Sequence, residues 1–312
     1  MSETPAIDVM NVTHRYGATV ALDGVTFSVP EGSICGLVGP NGAGKTTLLS
    51  IAATLMPPGG GQVEVMGHDV VVERSEVRKA IGYLPDFFGV YEDMKVWEYL
   101  DYFGAAYRLT PEVRRERIPG LLELVQLTGK HDDYVESLSR GMQQRLCLAR
   151  TLIHDPRVLL LDEPAAGLDP RARVELRDLL RGLGEQGITI LISSHVLADL
   201  ADICTHVVVI EKGRLVSAGP LDDLIRMVTG YTRIRVRVTS SFERARRIVE
   251  GYPGVAEVAG AADELMVRFD GDDQAAAALL GRLVRGRVPV VEFTPEHDLE
   301  AAFLTVTKGE VT

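Results

Sequence analysis

Residues 33–47 read SICGLVGPNGAGKTT, and this stretch decides the fold. Ser33–Val38 is a continuous apolar run, the pattern of a strand buried on both faces. Gly39-Pro40-Asn41-Gly42-Ala43-Gly44-Lys45-Thr46 fits GxxxxGK[ST]. A helix is predicted from Lys45 to about Leu55, where Pro57-Pro58-Gly59-Gly60-Gly61 stops it. Phosphate chemistry explains these residue types. The glycines let successive N–H groups turn inward and form a concave anion cradle. The helix start aims its positive dipole end at the same point. Lys45 supplies a point charge for the β- and γ-phosphates, and the Thr46 hydroxyl is a ligand for Mg²⁺. Four fixed positions in a chain of this length match by chance about 1% of the time, so the loop points to a nucleoside triphosphate.

Such a loop needs a carboxylate for its metal. Val158-Leu159-Leu160-Leu161-Asp162-Glu163 supplies a buried strand ending in two acids. Asp162 is the expected Mg²⁺ carboxylate. Glu163, one residue on, could polarise an attacking water.

Outward from these two stretches, Ile7–Val12 and Val25–Val29 alternate as strands, with turns expected at Gly17, Gly24 and Pro30-Glu31-Gly32. Residues 92–154 read as helical. Val96, Leu100, Phe103 and Tyr107 fall on one helix face, as do Met142, Leu146, Ala149 and Ile153. Val158–Leu161 and Ile188–Ile192, joined by a helical stretch, form a strand–helix–strand unit with a parallel sheet. Glu211-Lys212-Gly213 reads as a hairpin turn. A second domain is expected from Tyr231, giving units 1–230 and 231–312, with a helical subdomain at about 88–154. The second runs strand, helix, strand, strand, helix, strand, then a last helix over Pro295–Thr307. That order fits a ferredoxin-like split βαβ unit with an added helix. No catalytic or metal constellation is visible in it; its one histidine is His297.

Composition narrows the function classes. The chain has 312 residues, 46% hydrophobic and 25% charged, enough to bury a core in two domains. Its longest apolar run, Ala275–Leu280, is far short of the ~20 residues of a membrane span. The start MSETPAIDV lacks the basic and apolar regions of a secretory signal. A net charge of −11 argues against a broad nucleic-acid face. Cys35, Cys147 and Cys204 are few, scattered and in apolar surroundings, so they read as buried thiols.

Leu138-Ser139-Arg140-Gly141-Met142-Gln143, between the phosphate loop and the acidic strand, resembles the LSGGQ signature of the ATP-binding cassette (ABC) family. With it, residues 5–225 resemble the ATP-binding subunits of ABC transporters. The resemblance implies an α/β P-loop NTPase cassette with a mixed sheet core, an antiparallel β subdomain and a helical subdomain, followed here by a small α+β domain. It implies ATP and Mg²⁺ as ligands, with residues 39–46 and Thr47 on the phosphates, and Tyr16 stacked on adenine. Ala166-Gly167-Leu168-Asp169 looks like the D-loop, and His195 like the switch histidine that contacts the γ-phosphate and helps hold the water of Glu163. Two cassettes would stack head to tail, so that Ser139 and Gly141 of one reach the γ-phosphate held by the other. A separate transmembrane permease would carry the substrate, leaving this chain peripheral on the cytoplasmic face of the membrane. Chains with one cassette and a C-terminal appendage mostly resemble bacterial exporter subunits. The alternative, a cassette ATPase acting on ribosomes or DNA, usually has two cassettes or long insertions; this chain has neither.

Two positions depart from the family pattern. The signature carries Arg140 for its first glycine, and Met142. The Q-loop glutamine, due after Ile81-Gly82-Tyr83-Leu84-Pro85, is Asp86, and no glutamine occurs between Gln62 and Gln126. Aspartate can still ligate Mg²⁺. Just beyond it, residues 87–103 hold seven of the chain's eighteen aromatics. Phe87, Phe88 and Tyr91 are the expected lining of a groove for a permease helix.

Overall fold

The computed structural model describes residues 5–87, 89, 91, 93–195, 200, 202–221, 223 and 232–296. The chain forms two compact units, dividing between Gly219 and Pro220. Tyr231 lies outside the described residues.

The first unit begins with β1 (Ile7–Tyr16) and β2 (Thr19–Val29), then β3 (Ile34–Val38) and α1 (Lys45–Ala52). Next come β4 (Gly60–Val65), β5 (His68–Asp69), α2 (Arg74–Ala80) and β6 (Ile81–Leu84). Three helices follow: α3 (Val96–Ala106), α4 (Pro111–Leu124) and α5 (Arg140–Leu152). Then come β7 (Val158–Leu161), α6 (Pro170–Glu185), β8 (Thr189–Ser194), β9 (His206–Glu211) and β10 (Arg214–Pro220), whose last residue opens the second unit.

An antiparallel sheet is ordered β2-β1-β4-β5. Gly24 is not a turn between strands, as sequence suggested. It sits inside β2 at φ +71, where the β1–β2 register slips between Leu22 and Val25. A glycine that tolerates positive φ marks a bulge as readily as a turn. The second sheet is ordered β10-β9-β3-β8-β7-β6, and β9, β3, β8, β7 and β6 pair in parallel. The continuous apolar runs of β3, β7 and β8 are buried at every position, as a sheet covered on both faces requires. β10 follows β9 through Lys212 and Gly213, both at positive φ, the conformation of a two-residue hairpin turn. One core joins the sheets: Ile7, Val9 and Val65 cluster with Leu48 and Ile51 of α1 and with Leu37 and Leu160.

In the helical region, Val96, Leu100, Leu146, Ala149 and Ile153 are buried, as their spacing predicts. Tyr107 departs from that face. It follows the last residue of α3, is 41% exposed, and stacks on His154. The aromatic that fills the core instead is Tyr99, fully buried, its hydroxyl accepting from Arg150 Nη1 at 3.1 Å.

The second unit contains β11 (Thr232–Val238), α7 (Phe242–Glu250), β12 (Val255–Ala261), β13 (Glu264–Phe269), α8 (Asp273–Arg285) and β14 (Val290–Glu296). Its antiparallel sheet is ordered β12-β13-β11-β14, the ferredoxin-like arrangement. Alternation makes it one-sided. Ile234, Val236, Val238, Leu265, Val267 and Phe269 pack with Ala245, Val249, Leu279 and Leu283 of the helices. Pro295 and Glu296 belong to β14 rather than to the start of a helix, because Ile234 and Arg233 pair with them. The remainder of the predicted last helix, with His297, lies outside the described residues.

All three cysteines are buried free thiols. Burial pushes the Cys35 thiol up to about 12, so it is an inert packing residue. Among the described residues no helix is long and apolar enough to cross a membrane.

Candidate active site

The parallel sheet gathers the site at its carboxyl edge. β3 runs into the loop Gly39–Gly44, which delivers Lys45 as the first residue of α1. Glycine is demanded here by space as well as by conformation. A Cβ on Gly39 would lie 2.2 Å from the Ile210 carbonyl oxygen, and Gly42 and Gly44 take φ of +79 and +106. Pro40, Asn41 and Ala43 complete the loop, Ala43 N–H donating to the Pro40 carbonyl and the Ala43 carbonyl accepting from Gly213 N–H.

Lys45 is only 6% exposed. Its Nζ donates to the Gly39 and Pro40 carbonyls at 2.7 and 3.3 Å, and lies 3.3 Å from Glu163 Oε1. The other oxygen, Glu163 Oε2, lies 2.9 Å from His195 Nδ1. The register Leu161↔Ile192 between β7 and β8 brings these residues together, because Asp162-Glu163 and Ser193-Ser194-His195 then leave the sheet side by side. Glu163 has φ +48, an uncommon backbone conformation for a residue with a side chain.

Asp162 is 1% exposed. Burial raises its carboxyl pKa; the Ser193 and Thr46 hydroxyls oppose the rise, and the charges of Asp86 and Glu163 add to it. Asp162 Oδ1 accepts from Ser193 Oγ at 2.6 Å, while Oδ2 is buried with no hydrogen bond. A buried carboxylate oxygen without a partner, beside Thr46, is chemically suited to a hard cation such as Mg²⁺. No cluster of three His, Cys, Asp or Glu among the described residues could hold a metal alone.

Other sequence-selected residues lie around this centre. Tyr16 is half exposed. Its hydroxyl is 3.5 Å from Thr47 Oγ1 and donates to Met56 Sδ, so the ring flanks the helix that carries the phosphate loop. Asp86 is exposed after β6, near enough to Asp162 for their charges to interact. Phe87 is 90% exposed. Tyr91 packs on Tyr99, Tyr102 and Phe103, so local packing accounts for part of the aromatic cluster. Phe88 lies outside the described residues.

Ser139, Gly141 and Asp169 form a separate group. Ser139 caps α5, accepting from Met142 N–H at 3.4 Å. Asp169 caps α6, accepting from Ala172 N–H at 2.9 Å. The Cβ position of Gly141 is 3.4 Å from Ala172, so these two helix starts adjoin. Among the described residues, no hydrogen bond or ion pair links Ser139 or Gly141 to residues 39–47.

Two features escaped the sequence reading. Ser193 joins both acids, accepting from Glu163 N–H at 2.8 Å as well as donating to Asp162. Its signal was weak: it stands only two residues before His195. Arg140 lays its guanidinium over Gly167, whose φ is +70. Three guanidinium atoms lie 2.8 Å from where a Gly167 Cβ would be.

The family model described as ABC transporter matches residues 22–166. The Nod factor export ATP-binding protein I of Rhizobium meliloti is 36% identical over 285 residues, 89% of this chain and 85% of that one. The chain belongs to the ABC transporter family. Among other relatives of this ABC subunit is the daunorubicin resistance ATP-binding protein of Streptomyces coeruleorubidus. It is 40% identical, over 76% of this chain and 74% of its own. A solved ATP-binding subunit of an ABC transporter superposes with a TM-score of 0.65 at 31% identity, over 73% of this chain and 94% of that one. A dimeric ATP-binding cassette in a post-hydrolysis state, bound to ADP and Pi, superposes with a TM-score of 0.62 at 26% identity, over 69% and 98%. The fold is therefore the cassette expected from residues 33–47 and 138–143. The subunit binds ATP and hydrolyses it to drive transport.

Proposed function

We propose that this chain powers export through a separate transmembrane permease, working as a head-to-tail pair of cassettes on the cytoplasmic face of the membrane. The name of one relative, Nod factor export ATP-binding protein I, supports the outward direction. The observation that carries hydrolysis at this site is the bonded chain Lys45–Glu163–His195 beside a buried, unpartnered Asp162 oxygen. It groups a phosphate-binding lysine, a base for water and a carboxylate for the metal, and leaves donors on the far side of the γ-phosphate to a second copy.

In this reading the loop 39–46, with Thr47, cradles the triphosphate, and Tyr16 offers its open ring to adenine. Lys45 exchanges its loop carbonyls for phosphate oxygens. Thr46 and Asp162, with Asp86, would hold Mg²⁺, which would supply charge neutralisation for the phosphates. Freed from Lys45, Glu163 polarises the attacking water, and His195 holds the Glu163 carboxylate in place. The cavity of about 140 Å³ lined by Glu163, Ser193 and His195 has room for that water. Ser139 and Gly141 of a second copy supply the missing donors, and Asp169 lies at the seam. Residues 231–312 are an accessory domain that supports pairing or regulation.

Lys45→Ala should abolish ATP binding and hydrolysis together. Asp86→Asn should change the Mg²⁺ titration of hydrolysis, and an unaltered titration would remove Asp86 from the metal site. Phe87→Ser with Tyr91→Ser should uncouple transport while sparing basal hydrolysis. Transport unchanged in that variant, or purification without any multi-span membrane protein, would contradict permease docking at this face.

A further inference from the structure

Ser193 is the penultimate residue of β8, with its side chain wholly shielded from solvent. A hydroxyl has one proton and two lone pairs. The Glu163 N–H can only donate, so Ser193 Oγ accepts there at 2.8 Å, and its own proton goes to Asp162 Oδ1 at 2.6 Å. Both directions are thereby fixed. Ser193 engages Asp162 at Oδ1, and Oδ2 is buried and free of hydrogen bonds. Glu163 is held through its backbone in a left-handed conformation that a non-glycine residue adopts only when its surroundings impose it. Two residues further on, His195 Nδ1 meets Glu163 Oε2. The end of β8 and the residue after it therefore hold Glu163 at its backbone and at its carboxylate, and the Ser193 hydroxyl holds Asp162 as well.

We propose that Ser193 is a positioning residue for ATP hydrolysis, selecting the Asp162 oxygen offered to the metal and fixing the backbone from which Glu163 reaches the water. The inference rests on the roles proposed above for Asp162 and Glu163. Because one hydroxyl serves both acids, its loss acts on metal affinity and on turnover together. A residue that only filled space would affect neither while the fold held.

The test uses the full chain and three variants: Ser193→Ala, Ser193→Thr and Asp162→Asn. Mn²⁺ binding in the presence of ATP is followed by electron paramagnetic resonance, and ATP binding without metal by fluorescent-nucleotide displacement. Turnover and melting temperature are recorded alongside. Ser193→Ala is expected to weaken Mn²⁺ binding about tenfold and to lower turnover at saturating metal about tenfold or more. Metal-free ATP binding should stay within about twofold, and Ser193→Thr, which keeps the hydroxyl, should restore most of both losses. Asp162→Asn should abolish the Mn²⁺ signal. Mn²⁺ affinity and turnover both unchanged in Ser193→Ala, while Asp162→Asn loses the metal, would overturn the role of Ser193 alone. Retention of Mn²⁺ by Asp162→Asn would overturn the metal assignment beneath it. If Ser193→Ala does not fold, Ser193→Cys, similar in volume and a weaker donor, is held to the same two outcomes.

Discussion

The carboxyl edge of the parallel sheet and the amino end of α5 are built in opposite ways. At the sheet edge, Lys45, Asp162 and Ser193 are nearly or wholly buried, and hydrogen bonds and ion pairs join Lys45 to Glu163, Glu163 to His195 and Ser193 to both acids. At α5, Ser139 and Arg140 are exposed, and Ser139 caps only its own helix. The first turn of α5 contains no acid. Arg140 instead places a cation at the positive helix end, an arrangement unfavourable by about 0.3–1 kcal/mol. In the proposed pairing, the buried, bonded charge cluster is the finished half-site, and the exposed start of α5 is the surface that meets the phosphate held by the other copy.

The largest effect should fall on the finished half. Glu163→Gln should lower ATP turnover by about 10²–10⁴-fold with ATP binding retained, because only proton handling is lost. Turnover within about tenfold would displace Glu163 as the base. Next is the open half. Ser139→Ala should lower turnover by about 10²-fold, the cost of removing one donor to developing negative charge. ATP binding by the isolated chain should not change, and a fall in it would mean that Ser139 belongs to the same copy's phosphate site.

The contact between Arg140 and Gly167 gives a smaller effect, on stability. Gly167→Ala must hold alanine at φ +70, costing about 1–2 kcal/mol, and must push the guanidinium aside. Its melting temperature should fall by about 2–8 °C. Adding Arg140→Ala should recover the steric part and not the conformational part. Full recovery would show that crowding alone is at stake.

The smallest effect is expected away from both halves. His154 donates from Nε2 to the Ile81 carbonyl at 2.8 Å, and its Nδ1 is buried without a partner. Burial lowers its pKa from the ordinary 6.5. The unfolded chain therefore takes up this proton first as pH falls. The stability that the neutral ring contributes is complete above about pH 6.5 and is lost as pH falls from there through the lower folded pKa. Melting curves should show that decline, and His154→Gln should flatten it.

The same contrast explains what the sequence revealed. The finished half-site was legible because its chemistry fixes residue types at fixed spacings: the glycines and Lys45 of the loop, and two acids at the end of an apolar strand. Ser193 was not legible, since its role depends on the Leu161↔Ile192 register, which brings together residues about thirty apart. Gly24 reads as a turn because glycine serves bulges and turns alike. Tyr107 falls on the buried face by periodicity, which does not say where α3 stops. The start of α5 was legible as a helix cap and, through its likeness to a family signature, as something more. Arg140 lying over Gly167 depends on two loops meeting, and no local pattern carries that. In the second unit, period-two alternation in β11 and β13 marked the core face, and element order matched the sheet order that the structure adopts.

Hydrolysis as proposed requires that the open half of one copy complete the finished half of another. The direct measurement is the solution mass of Glu163→Gln, by light scattering, with saturating ATP and Mg²⁺. The expected mass is twice the 34.0 kDa of the single chain. Adding Ser139→Glu to the same variant should return it to the single-chain mass with ATP still bound. A dimer unaffected by the Ser139 change, or a single-chain mass for Glu163→Gln itself at full ATP occupancy, would contradict it.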